Sequence, residues 1–214
     1  MTALSNRLLL SNLIFALLVP SFIAAAGTEV SGMFDIDSGA ASFESATNVP
    51  GVEVKGKSNS LTGHLTITRD EHGLTLEGID VSLPVKTLAT GMKVRDEHMR
   101  KYIFTTGDGQ LPDLRFSADS LTCPVNASSQ ESTCQIAGQL NIRGIAHQFA
   151  MNLNVRAQSG TTFHGAGDAV VRLSDYGITP PSQFGVSASN EVKLHIDFAA
   201  RQRPVAISST EHAR

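Results

Sequence analysis

The sequence predicts an all-β protein, an antiparallel barrel of about eight strands with a single short helix. Three observations predict it. Apolar residues recur at every second position in run after run, which puts them on one face of a strand and the polar residues on the other. Turn-forming clusters separate the runs at short spacing: Asp37-Ser38-Gly39, Asn48-Val49-Pro50-Gly51, Asp70-Glu71-His72-Gly73, Gly107-Asp108-Gly109 and Gln158-Ser159-Gly160. Helical periodicity replaces alternation in one segment alone. A single domain with this many half-dry strands buries them, and covers its strand edges, by closing the sheet on itself.

In chain order, residues 1–26 come first. Arg7 is their only charged residue, an apolar run extends from Leu8 to Ala25, and the run closes on Ala24-Ala25-Ala26. A basic start, an apolar stretch and a small-residue exit describe a cleavable signal peptide, hence export to the periplasm. Pro20 and the alanine exit argue against an uncleaved membrane anchor. Residues 27–200 are expected to form the barrel and 201–214, polar and aperiodic, a flexible tail.

Within the barrel, Leu61, Gly63, Leu65 and Ile67 share one strand face, and Ile79, Val81, Leu83 and Val85 another. The pattern returns in Leu114, Phe116 and Ala118, then in Ile136, Gly138, Leu140 and Ile142. Phe149, Met151, Leu153 and Val155 repeat it, as do Phe163 through Val171 with Leu173, and Val192, Leu194, Ile196 and Phe198. Residues 93–104 carry good helix formers, with Val94, His98 and Tyr102 on one face. Gly63, Gly138, Gly165, Gly167, Ala118 and Ala169 are small residues on the dry faces, and the chain has no Trp. Either they leave spare interior volume or they relieve crowding where the sheet bends.

The charge balance, 17 basic against 20 acidic residues, offers no electrostatic footprint for nucleic acid. Cys123 and Cys134 flank a polar, Ser-rich segment, and in an oxidising compartment two such thiols form a disulfide. A C-x-x-C redox spacing is absent. His64, His72, His147, His164 and His195 stand singly, with no H-E-x-x-H spacing, and no G-x-S-x-G elbow occurs. No catalytic residue, cofactor or metal ligand is therefore assigned. Arg95 and Asp96, beside His98, are expected to fasten the helix to a neighbouring turn, and Arg172 and Asp175 to tie a loop at the barrel mouth. Asn126-Ala127-Ser128 fits a glycosylation sequon, which we take as chance.

With the strands laid out, the sequence resembles the YceI-like family of lipocalin-shaped periplasmic proteins over roughly Phe34 to Phe198. The resemblance rests on motifs in order. Phe34-Asp35-Ile36-Asp37 is followed by Ala41-Ser42-Phe43, then by Leu61-Thr62-Gly63-His64-Leu65. The block from Thr87 to Phe104 contains Val94-Arg95-Asp96-Glu97-His98-Met99 where the family places an RDxHL helix. Pro112-Asp113-Leu114-Arg115-Phe116 and Gly138-Gln139-Leu140-Asn141-Ile142-Arg143-Gly144 come next, and Arg172-Leu173-Ser174-Asp175-Tyr176-Gly177-Ile178 closes the series with Tyr in place of the usual Phe. The cysteine loop departs from the common pattern.

The resemblance implies an extended eight-stranded antiparallel lipocalin-like barrel, closed at one end by the short helix, that binds an isoprenoid chain such as a quinone tail along its axis. Parity then nominates the channel wall: Leu65 and Ile67; Ile79, Val81 and Leu83; Phe116; Leu140 and Ile142; Phe149, Met151 and Leu153. Phe163, Val171, Leu173, Leu194 and Ile196 complete it. The expected function is a periplasmic binding or carrier protein, not an enzyme, for a long apolar polyisoprenoid or quinone. A filled barrel acting through its surface on a membrane respiratory protein, and an enzyme acting on an isoprenoid lipid, remain the alternatives. Transient contact with membrane proteins and a homodimer stay open as partner states.

Overall fold

The computed structural model describes residues 30–69, 73–124 and 131–204. The signal-peptide segment, residues 70–72 of one expected turn, the sequon and the tail from residue 205 lie outside the described residues. The strands are β1 (Val30–Thr47), β2 (Glu53–Arg69), β3 (Gly73–Leu83), β4 (Leu114–Pro124), β5 (Glu131–Ile142), β6 (Ile145–Ser159), β7 (Thr162–Arg172), β8 (Ser182–Gln183) and β9 (Val186–Gln202). From β1 to β7 each pairs antiparallel with the next; β7 pairs with β9, and β9 with β1. Eight strands thus close an antiparallel barrel, and the two-residue β8 hangs on β9 as a hairpin arm. The helix α1 (Lys93–Met99) runs on into a π-helical turn, Arg100–Phe104, so together they span the expected helical segment.

Three local readings are corrected and one open alternative is decided. Asp37-Ser38-Gly39 is not a turn: β1 runs straight through it, with register shifts on both sides of Gly39 against β2. Such irregularities bend a strand, as a long strand wrapping a barrel must bend. Val85 belongs to a short 3-10 turn after β3 rather than to the strand, because Pro84 cannot donate to the ladder. Its side chain is buried all the same. At the far end β9 continues through Gln202, and Arg203 pairs with Asp35, its Nε donating to the carboxylate at 2.8 Å. Order therefore reaches past Ala200. Of the two readings left open for the small residues, the glycines bear out relief of crowding. A Cβ on Gly165 would stand 2.4 Å from the Phe198 ring, and one on Gly138 would stand 2.2 Å from the Ser117 carbonyl oxygen. Glycine is there so that a ring or a neighbouring strand can lie against the backbone.

Cys123 on β4 and Cys134 on β5 are joined in a disulfide, both buried among the core side chains. Phe34 and Phe163 meet edge to face at 5.2 Å in the same half of the barrel. Around them pack Leu65, Ile67, Leu74, Leu76, Leu153 and Val155, all buried. This half is filled. The opposite end, where α1 and the β8–β9 hairpin sit, is not.

An apolar cavity at one end of the barrel

A cavity of about 920 Å³ occupies the end of the barrel beside α1. Its wall divides the nominated residues by depth. On β3, Val81 and Leu83 border it; on β6, Phe149 and Met151 do; on β9, Leu194 and Ile196 do. Phe116, Leu140, Ile142, Val171 and Leu173 complete the nominated residues that line it. One alternation step deeper on β3 and β6, Ile79 and Leu153 are buried in the packed half and border no part of it. Leu65, Ile67 and Phe163 lie with them. The reason is geometric: parity fixes which side of the sheet a residue faces but carries no information about its height along the barrel axis. The floor lies near the level of Leu61, Val81, Met151 and Ile196, below which Phe34, Phe163 and Phe198 close the interior.

Several lining residues escaped the sequence reading. Ala41 and Phe43 on β1 line the wall, Phe43 lying against Gly56. Their alternation was visible, but the run is short. Leu88, Met99, Ile103 and Phe104 cap the cavity from the segment between β3 and β4. The shared face of α1, Val94, His98 and Tyr102, is the one at the mouth. Val94 and Tyr102 are 62 % and 60 % exposed, while Asp96 and Met99 are buried. The arm formed by β8 and the start of β9 also reaches the mouth, with Phe184 at its tip. The signal for that arm was the Phe184-Gly185 pair between two strand-like pairs, since a residue followed by Gly is what a two-residue hairpin turn uses.

Arg95 and Asp96 are tied down at the mouth. The Asp96 carboxylate accepts from the Thr90 amide at 2.7 Å and from the Thr90 hydroxyl at 2.6 Å. Arg95 donates through Nε to the Thr90 hydroxyl at 2.8 Å and through Nη2 to the Thr90 carbonyl at 3.0 Å. The Thr90 hydroxyl and amide, with help from Arg100 and Arg95, hold the Asp96 carboxyl below the usual carboxylate range despite its burial. Thr90 lies on the loop that Lys57 and Ala89 pin to β2 through two backbone hydrogen bonds. The helix is thus fastened across the barrel end, as expected of Arg95 and Asp96. Arg172 pairs with Glu191 across β7 and β9, and Asn190 exchanges hydrogen bonds with Ser174 to hold the turn after β7. Tyr176, in that turn, is buried beside His147, and burial ahead of the nearby Asp175 pushes its hydroxyl up to about 12. It fills a core position as a phenylalanine would.

Among the described residues no cluster of His, Cys, Asp and Glu is arranged to hold a metal ion, and no helix is long and apolar enough to cross a membrane.

The YceI-like domain profile matches residues 25–200, nearly all of the barrel. The chain belongs to the YceI-like family. No curated protein matches it by sequence. Solved structures similar to this YceI-like chain include a polyisoprenoid-binding domain from Saccharophagus degradans implicated in plant cell wall breakdown. It is 16 % identical, with a TM-score of 0.57 over 79 % of this chain and 98 % of that one. BcnA from Burkholderia cenocepacia is 15 % identical, with a TM-score of 0.56 over 75 % of this chain and 95 % of that one. The YceI protein of Campylobacter jejuni is 16 % identical, with a TM-score of 0.54 over 73 % and 90 %. At these identities the likeness is one of fold.

Proposed function

We propose that this YceI-like protein binds and carries a long apolar isoprenoid lipid, a polyisoprenoid or the tail of a quinone, in the open half of its barrel. The observation that carries the reading is the cavity: about 920 Å³, walled by aliphatic and aromatic side chains and open at one end. That volume suits a ligand rather than packing slack. At about 30 Å³ per water-sized group it has room for on the order of 30 non-hydrogen atoms, or roughly six isoprene units. Burial supplies about 25 cal/mol per Å² of apolar surface, so no polar anchor is needed for micromolar binding. The family, and the description of the Saccharophagus degradans relative as polyisoprenoid-binding, support the same ligand class. The apolar N-terminal stretch with its alanine exit supports a periplasmic setting.

Binding is favoured over turnover because Arg95, which lines the cavity, and the neighbouring Asp96 are spent on structure, both holding Thr90. The test is native mass spectrometry of protein purified from the periplasm, followed by organic extraction. A stoichiometric prenyl lipid or quinone is expected. A clean apo mass, unchanged after incubation with prenyl quinones, would move the function to the barrel's outer surface.

A further inference from the structure

Five large apolar side chains around the cavity mouth stand in solvent. Met92, Val94, Tyr102, Phe184 and Val186 are 57 %, 62 %, 60 %, 96 % and 38 % exposed, and every one of them borders the same opening. They come from two segments far apart in sequence, the loop and helix before β4 and the β8–β9 hairpin. Single exposed apolar residues need no explanation; a collar gathered around one mouth does.

Phe184 sharpens the point. It occupies the first position of a two-residue hairpin turn with φ +51°, followed by Gly185 at φ +79°. Such a turn favours Asn or Gly at that position, and a bulky side chain there strains the backbone. At 96 % exposure the ring makes almost no packing within the chain to offset the strain. Its return must lie outside the molecule. The charge around the collar also departs from the chain's net −3. Residues 92–102 carry Lys93, Arg95, Arg100 and Lys101 against Asp96 and Glu97, and Asp96 is buried on Thr90. Lys93 and Lys101 are exposed beside Met92, Val94 and Tyr102, with the Lys101 ammonium 5.2 Å from the Tyr102 ring centre.

We propose that this collar docks the barrel mouth onto the surface of a lipid bilayer, its apolar side chains set among the headgroups and Lys93 and Lys101 against anionic lipid. Aromatic and apolar groups ringed by lysine are what an interfacial contact uses. Docking there would let an apolar chain pass between bilayer and cavity without crossing water. The docking itself does not depend on what the cavity holds.

The chain has no Trp, so Phe184→Trp makes a single reporter at the mouth, and Thr161→Trp makes a control in the β6–β7 turn at the filled end. Each full-chain variant is titrated with vesicles of phosphatidylcholine with and without phosphatidylglycerol. Emission from position 184 is expected to shift to the blue and to be quenched by brominated lipid, more strongly with phosphatidylglycerol, while position 161 stays unchanged. Adding Lys93→Glu and Lys101→Glu should weaken the vesicle-dependent signal roughly tenfold or more. No vesicle-dependent change at 184, or an equal change at 161, overturns the proposal. A blue shift at 184 that grows with protein concentration without vesicles overturns it in favour of a second copy of this chain. A protein that carries no lipid yet still docks leaves it standing while ending the carrier reading.

Discussion

The two ends of the barrel are made from the same eight strands and the same alternation, yet one is solid and the other hollow. At the solid end Phe34 and Phe163 meet edge to face from the two strands that flank β9, Phe198 of β9 lies on Gly165, and a disulfide joins β4 to β5. At the hollow end the corresponding inward positions are Val81, Leu140, Val171 and Leu194, with Phe116 and Phe149 packed edge to face along the wall at 5.8 Å. The difference teaches that occupancy of a barrel interior is decided by which side chains face one another at one height, not by how many apolar residues face in. Phe34, Phe198 and Phe163, gathered on the adjacent strands β1, β9 and β7, fill it. Val81, Leu140, Val171 and Leu194 line the wall and leave a void between them.

The largest contrast should appear on truncation. Phe163→Ala is expected to cost about 3–5 kcal/mol, because a side chain 2 % exposed is replaced by a cavity. Leu140→Ala, at the hollow end, should cost less, about 2 kcal/mol, since that side chain is buried but already borders a void. Urea unfolding midpoints of the two variants check this; equal losses would mean the two ends are packed alike.

Next in size is the cross-link. Cys123→Ser with Cys134→Ser should lower stability by about 2–3 kcal/mol, as expected for removing a short closed loop. Because the disulfide lies in the solid half, lipid content measured on the purified variant should be unchanged.

A subtler effect is expected at the mouth. Leu140→Trp adds bulk where space exists, so circular dichroism should report a folded barrel while lipid uptake falls sharply. The same substitution at Leu153, in the solid half, should instead unfold the protein, because overpacking a filled core forces strain.

The smallest effect concerns Asp96. Its carboxyl is held below the usual range in the folded protein, so the stability it contributes is fully present above the ordinary carboxylate pKa and is lost as the pH falls through the lowered value. Asp96→Asn should therefore lower the melting temperature modestly at neutral pH. The gap between parent and variant should close in strong acid, as a melting series against pH would reveal.

Much of the architecture was legible in the chain. The alternating runs located β2 to β7 and β9 because each strand has one wet face, and the loss of alternation located the helix. The cysteine pair was legible from its loop. Less legible was anything depending on long-range geometry. Asp37-Ser38-Gly39 has turn composition but serves as a bend in a continuous strand, and this follows only from barrel closure. The glycines on dry faces read equally as spare volume or as relief of crowding, and Gly138 and Gly165 prove to mark tight approaches, because the atom that fills a missing Cβ comes from another strand. For the same reason the residues of one dry face could not be ranked by depth: Val81 borders the cavity and Ile79 does not, although both obey one period. The mouth collar was invisible for a different reason. Met92, Val94 and Phe184 look like core residues by type, and only their exposure gives them away.

A titration with prenyl quinones of increasing tail length, followed by native mass spectrometry at each length, addresses the half-hollow barrel itself. The account predicts one ligand per chain, with affinity rising as units are added and levelling off at roughly six isoprene units, when the cavity above Met151 and Ile196 is full. Affinity that does not depend on tail length, or no binding at any length, would contradict it.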